Sequence, residues 1–278
     1  MSIKNCIQRF QIPQIMAVLN LTEDSFSDGG YYLAPSAAVD HAMAMLQAGA
    51  QILDIGAEST RPGSREVDAK LEWQRIQPVL VRIRDLDPNV RISIDTQKAE
   101  VAEQAIALGA DIINDISALQ YDTDMAGLIA AHPQVKVILM HMQGRPQTMQ
   151  NHPQYDDVLA EVSAFLQQRA EYAISQGIAR ENIILDPGIG FGKNLQHNLS
   201  LLARLDTLSE LGYPILLGAS RKSFIDRIST APANQRIGGS LATTILACLN
   251  QADIIRVHDV QIHRQFLDVF SAILEAGA

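Results

Sequence analysis

Residues 183–193 read Ile-Ile-Leu-Asp-Pro-Gly-Ile-Gly-Phe-Gly-Lys. Three apolar residues run straight into an acid, a proline and spaced glycines. A strand covered on both faces has this continuous apolar character. Pro187 lacks a backbone donor and Gly188 tolerates positive φ, so the strand is expected to stop there. Asp186 then sits at the strand's C-terminal lip, on a rigid support. Taking its carboxylate out of water is costly unless donors face it. An acid that ties down its own turn is one reading of Asp186, and an acid that holds a ligand is the other.

The same grammar recurs outward in both directions. Residues 14–19 are apolar and end in Asn20. Residues 52–55 embed Asp54 and lead to Glu58, residues 91–94 end in Asp95, and residues 111–113 end in Asn114 and Asp115. Residues 135–140 end in His141. Residues 214–217 are followed by Gly218, Ser220, Arg221 and Lys222, and residues 253–257 carry Arg256 and end in His258 and Asp259. Helical periodicity fills the intervals, over residues 36–47, 68–84, 98–108, 124–131, 157–176, 199–210, 240–249 and 263–275. Strand then helix, eight times, predicts parallel strands with helical crossovers. The α/β fold expected is a (β/α)8 TIM barrel, a single domain over residues 1–278, with an open doubly wound sheet as the alternative. Residues 1–13 read as a lead-in, a short hairpin at most.

Composition bounds the partners. Of 278 residues 47% are hydrophobic and 19% charged, enough for a large core. The formal net charge of −9 argues against nucleic acid, whose phosphates need a basic surface. No stretch reaches the roughly 20 apolar residues of a membrane helix, so no membrane partner is expected. Cys6 and Cys248 are the only cysteines and lack metal-type spacing. A cytoplasmic location with reduced thiols follows.

In a (β/α)8 barrel every strand's C-terminal end opens on one face, which carries the active site. Asn20, Asp95, Asn114, Asp186, Lys222, Arg256 and His258 each lie at or just past such an end. Their types fall into two groups. Asp95, Asn114, Asp186 and Lys222 suit a flat nitrogen-rich heterocycle: carboxylates accept paired N–H bonds, an amide both donates and accepts, and an ammonium reaches ring acceptors. An internal ion pair between Asp95 and Lys222 across the mouth is the plainer alternative. Asn20, Thr60, Arg61, Arg256 and His258 suit an anion. Arg256 and His258 alternate on the last strand and so share a face, and barrels often bind phosphate near strands seven and eight. Asn20 offers a neutral oxygen to a hard Mg²⁺ that draws its other ligands from polyphosphate and water. Loops 21–33 and 58–67 exceed what a βα turn needs and read as lids or flexible insertions, with plain disordered loops as the alternative.

Several stretches resemble dihydropteroate synthases: residues 16–30 (Met-Ala-Val-Leu-Asn-Leu-Thr-Glu-Asp-Ser-Phe-Ser-Asp-Gly-Gly), 54–64 (Asp-Ile-Gly-Ala-Glu-Ser-Thr-Arg-Pro-Gly-Ser), 94–96, 112–116, 140–146 (Met-His-Met-Gln-Gly-Arg-Pro), 186–193, 220–223 and 254–260. They run in order over nearly the full length. Asp226 replaces the family's usual glycine after Arg-Lys-Ser, away from the proposed site. The resemblance implies a folate-pathway transferase that joins 4-aminobenzoate to 6-hydroxymethyl-7,8-dihydropterin diphosphate, with Mg²⁺ as cofactor and a homodimer as the usual assembly. It implies that Asn20 holds Mg²⁺ and that Thr60, Arg256 and His258 contact the diphosphate. Asp95, Asn114, Asp186 and Lys222 would grip the pterin, with Met140, Phe191 and Gly218 shaping its slot. Arg61, Pro62 and Ser223 would border the aminobenzoate, where sulfonamides compete. Asp95, Lys222, Arg256 and His258 are the residues expected to bear on catalysis. Two rivals remain: a pterin-binding methyltransferase domain serving a corrinoid partner, and a non-catalytic binding barrel.

Overall fold

The computed structural model describes residues 10–22, 35–60, 63–64 and 66–276. The eight strands are β1 (Gln14–Asn20), β2 (Ile52–Gly56), β3 (Arg91–Asp95), β4 (Ile112–Asp115), β5 (Lys136–Met140), β6 (Ile183–Asp186), β7 (Leu216–Leu217) and β8 (Ile254–Val257). They hydrogen-bond in the order β6-β5-β4-β3-β2-β1-β8-β7, all parallel. The ends of that order meet: Leu185 and Ile215 form a parallel bridge, and Leu185 N donates to the Pro214 carbonyl at 2.9 Å. The sheet is therefore a barrel. An open doubly wound sheet would leave β6 and β7 as edges.

Alternation along each strand sorts the core into two layers. Met16, Ile52, Ile112, Ile138, Ile184, Leu216 and Ile254 pack together inside the barrel. Their neighbours in sequence, such as Ile15, Leu53, Ile113, Val137, Ile183 and Ile255, join the larger core beneath the helices. Two residues beyond the inner layer, the same parity gives Asp54, Asn114, Met140, Asp186, Gly218 and Arg256. The strand pleat thus turns these side chains toward the barrel's mouth.

The outer helices are α1 (Pro35–Gln47), α2 (Ala69–Leu86), α3 (Ala99–Ala107), α4 (Met125–Ala130), α5 (Val158–Ser175), α6 (Leu195–Ala203), α7 (Leu205–Ser209), α8 (Ser223–Ile228), α9 (Ile237–Leu249) and α10 (Val260–Ala276). Three departures from the sequence reading stand out. The helix expected over 199–210 starts earlier, at an Asn194–His197 capping box, and breaks at Arg204, whose φ is −127°. Its apolar period hides the break, because Leu201, Leu202, Leu205 and Leu208 are all buried. The six-residue α8 is too short to show a period. The seventh strand shrinks from the expected 214–217 to Leu216–Leu217, with Ile215 contributing only the closing bridge. Among the described residues no helix is long and apolar enough to cross a membrane. Cys248 is buried and free; Cys6 and the expected lead-in before Phe10 lie outside the described residues.

His263 of α10 is 1% exposed, and its Nδ1 lies 3.0 Å from the Thr244 Oγ1 of α9. Burial lowers its pKa from 6.5 to about 4, with Asp259 opposing. The folded state therefore holds this ring neutral, so its contribution is complete above pH 6.5 and lost as the pH falls toward 4. Between pH 7 and 5 that loss is about 2 kcal/mol. His263→Gln should lose that much less stability than the parent over the same interval in denaturant melts. An unchanged pH slope would contradict a neutral buried ring.

Candidate active site

Asp186 ends β6, and the structure shows the first of its two readings, the acid that ties down its own turn. Its Oδ1 accepts from Gly188 N at 2.7 Å, tying down its own turn. Its Oδ2 faces β7, where a Cβ on Gly218 would lie 3.7 Å away. Burial raises the Asp186 pKa, opposed by the Gly188 bond, Lys222 and Arg256. The glycines that follow serve close packing. A Cβ on Gly188, at φ +65°, would stand 1.9 Å from the His141 carbonyl oxygen, and one on Gly192 2.3 Å from that of Gln143. The β6 loop lies directly on the β5 loop, and no side chain fits between them.

Lys222, half-buried after β7, sets its Nζ 4.2 Å from the centre of the Phe191 ring. Burial lowers its pKa to about 8, Arg256 adds repulsion, and Asp186 and Asp95 hold it up. Phe191 packs with Ile116, Met140 and Met149, and Met142 borders them. An apolar wall thus stands beside a cation and a carboxylate, the surroundings a flat polar ring needs: faces covered, edges met by donors and acceptors.

Arg256 leaves β8 and joins two acids. Its Nε donates to Asp54 Oδ2 at 2.6 Å and its Nη2 to Asp95 Oδ2 at 2.9 Å. Asp95 thus has Arg256 as its ion-pair partner, where the sequence had suggested Lys222. Burial raises the Asp95 pKa well above the carboxylate range; Arg256 opposes this and Asp54 adds to it. Burial works against the Arg256 charge, but Asp54 and Asp95 outweigh it and the pKa rises. His258 Nδ1 lies 3.1 Å from Ser220 Oγ. Burial first, then Arg256, Arg221 and Lys222, lower its pKa to about 3. His258 is therefore neutral at physiological pH and suits a hydrogen-bonding role beside an anion rather than a cationic one.

Asn20 ends β1 and pairs with Gly56, which in turn pairs with Asp95 and that with Asn114, so one register row carries three expected site residues. Thr60 is half-buried in the loop after β2, and Ser223 is an exposed first residue of α8. Arg61, Pro62 and most of the 21–33 loop lie outside the described residues. Among the described residues no group of three His, Cys, Asp or Glu side chains is arranged to hold a metal. The amide oxygen of Asn20 is of the chemical type that a hard cation accepts.

Comparison with known proteins follows this geometry closely. The family model described as pterin binding enzyme matches residues 16–258. The dihydropteroate synthase of Escherichia coli K12 is 46% identical over 264 residues, covering 95% of this chain and 93% of its own. That of Yersinia pestis, solved with a sulfonamide drug, superposes with a TM-score of 0.89 at 42% identity, covering 96% of this chain and 95% of its own. That of Xanthomonas albilineans, solved with 7,8-dihydropteroate, gives a TM-score of 0.84 at 39% identity over 96% and 94%. The chain belongs to the dihydropteroate synthase family. With that membership it is an enzyme, a transferase.

In this dihydropteroate synthase fold, two functional positions escaped the sequence reading. Asp54 is fully buried and its Oδ2 takes both Arg256 Nε and, at 3.3 Å, Asn114 Nδ2. It orients a cation and an amide of the proposed site. The available signal was parity, since Asp54 lies two residues past inward Ile52. Lys193 is 1% exposed. Its Nζ donates to the carbonyls of Phe191 (2.9 Å), Gly188 (3.0 Å) and His141 (3.3 Å), and lies 2.9 Å from His141 Nδ1. It staples the β6 loop to the β5 loop and so fixes Phe191. No local pattern in the sequence distinguishes it from a surface lysine.

Proposed function

We propose that the chain condenses 4-aminobenzoate with (7,8-dihydropterin-6-yl)methyl diphosphate, giving 7,8-dihydropteroate and diphosphate in tetrahydrofolate biosynthesis. The observation that carries this reading is the convergence of Asp95, Asn114, Asp186 and Lys222 with Arg256 at one barrel mouth, beside the Phe191–Met140 wall. The complexes of relatives with 7,8-dihydropteroate and with a sulfonamide drug support it.

The pterin lies against Phe191 and Met140, its amino and ring N–H edge on Asp186 and its acceptors near Asn114 and Lys222. The reaction breaks the methylene C–O bond, and diphosphate leaves with the electron pair. Arg256, neutral His258 and Thr60 take the departing anion. Arg256 already spends two of its five donors on Asp54 and Asp95, and among the described residues its Nη1 has no partner, so it meets the anion with its orientation fixed. Such preorganised donors stabilise developing charge without reorganising. Asp95 and Asp54 favour the cationic character left on the pterin methylene. The arylamine then forms the C–N bond and releases its proton; its lone pair needs no strong base. Arg61, Pro62 and Ser223 border that amine's ring in this reading. Asn20 would hold Mg²⁺ here, and the bound ion would supply further charge neutralisation on the leaving group.

The exposed Val269 and Ile273 of α10, 55% and 64% accessible, support a homodimer through that helix, and the composition supports a cytoplasmic location. A methyltransferase role fits less well, because it needs no diphosphate clamp. The deciding experiment mixes both substrates and follows diphosphate. Release that requires 4-aminobenzoate and stops with EDTA is expected. Pterin binding without release would support a binding barrel, and release insensitive to EDTA would remove the metal from the proposal.

A further inference from the structure

Lys98 occupies a position that local rules argue against. It is the N-cap of α3, with φ −107° and ψ 122°, and its side chain makes no cap bond. Short polar side chains are favoured there, and a cation faces the positive end of the helix dipole. Other groups do the capping: Asp122 Oδ2 accepts from Ala99 N at 2.8 Å and Thr96 Oγ1 from Lys98 N at 3.2 Å. The lysine is nevertheless only 6% exposed. Its Nζ donates to Glu72 Oε2 at 2.6 Å and also to Glu58 Oε2. Glu72 is fully buried.

The three residues come from three segments that meet behind the site. Glu58 opens the loop after β2, two residues before Thr60. Glu72 lies in the first turn of α2, just past the loop's end. Lys98 lies three residues after Asp95. We propose that Lys98 is a positioning residue for the transfer reaction, holding the start of the loop after β2 and the first turn of α2 against the β3 turn and thereby setting Thr60 relative to Asp95. The inference rests on the function proposed above.

Neighbouring contacts act in the same sense. Arg75 Nη1 donates to the Ala57 carbonyl at 3.1 Å, and Tyr121 Oη donates to Glu66 Oε1. Arg75 acts at the loop's entry and Tyr121 at its exit. Lys98 joins the loop's entry and the first turn of α2 to the strand turn. Burial raises the Glu72 pKa and Lys98 opposes it. Burial also works against the Lys98 charge, but the two glutamates outweigh it. Asp95, raised first by burial and then by Asp54, is pushed further up by the same two acids. A buried charge pair contributes modestly to stability but breaking it by removing one partner is severe, so the test must separate position from folding.

The test compares Glu58→Gln, Lys98→Arg and Lys98→Met with the parent enzyme. Glu58→Gln weakens only the loop-side contact and leaves the Lys98–Glu72 pair. It should melt within a few degrees of the parent, bind 6-hydroxymethylpterin, which lacks diphosphate, within about threefold of it, and lose at least tenfold in kcat/KM for 4-aminobenzoate. Hydrogen exchange at residues 57–60 should accelerate in step. Lys98→Met should show a larger loss in the same sense, with partial recovery in Lys98→Arg. A Glu58→Gln enzyme with parental kinetics and parental exchange at 57–60 overturns the proposal, even if Lys98→Met fails to fold. Equal losses of pterin affinity and turnover would also overturn it, since they indicate general damage. If the parent enzyme releases no diphosphate, the functional reading fails on its own, and exchange at 57–60 alone then decides whether Lys98 holds the loop.

Discussion

Asp186→Asn should weaken pterin binding about 100-fold while leaving the fold intact. The substitution preserves the side chain's shape, and the amide oxygen can still accept from Gly188 N as Oδ1 does at 2.7 Å. What changes is the second atom, Oδ2, which faces the slot by Gly218. An NH₂ group there confronts the ring's own N–H donors, so a charge-assisted pair becomes a donor–donor clash in a buried site. Losing such a pair costs about 3 kcal/mol, or roughly two powers of ten in Kd. Titration calorimetry with a pterin reads the loss directly, and a thermal melt serves as the folding control. Asp186→Ala should lose as much affinity, but it also frees the turn at Gly188 and is the less clean variant. Pterin affinity within threefold of the parent in Asp186→Asn would remove this carboxylate from the site.

Arg256→Lys should lower kcat/KM by about 100- to 1,000-fold, with most of the loss in kcat. The lysine keeps the charge but has no planar fork. It cannot reproduce Nε on Asp54 and Nη2 on Asp95 together with a further N–H for the leaving group. Asp54 and Asp95 would then lie close together with one mobile ammonium between them. A loss of about 3–4 kcal/mol in transition-state stabilisation corresponds to that factor. Steady-state diphosphate release at saturating substrates separates kcat from KM. Parental turnover in Arg256→Lys would refute the clamp. A loss confined to KM would make Arg256 a binding group without a special role in the departure of diphosphate.

Much of this site is legible along the chain because a parallel barrel strand must be apolar until it surfaces. Asn20, Asp95, Asn114 and Asp186 each break an apolar run at its C-terminal end, and the barrel brings every such end to one mouth. Asp54 breaks the same rule earlier in its strand, where a polar residue looks like noise until the pleat shows it pointing inward beside Arg256. Lys193 and Lys98 give no such signal. Each is a lysine beside a helix start, and only distant carbonyls or acids reveal why it is buried.

The sequence by itself determined the eightfold strand–helix repeat and the chemical types available at the mouth. These are local properties, written in period and spacing. Tertiary structure alone decided that β7 survives as two paired residues, that Leu185 and Ile215 close the ring, and that Arg256 answers Asp54 and Asp95 across 202 and 161 residues of chain. Pairing at such separations depends on which groups remain unsatisfied when the barrel closes and water leaves. That competition is settled by distance and burial in three dimensions, and no window along the chain contains both partners.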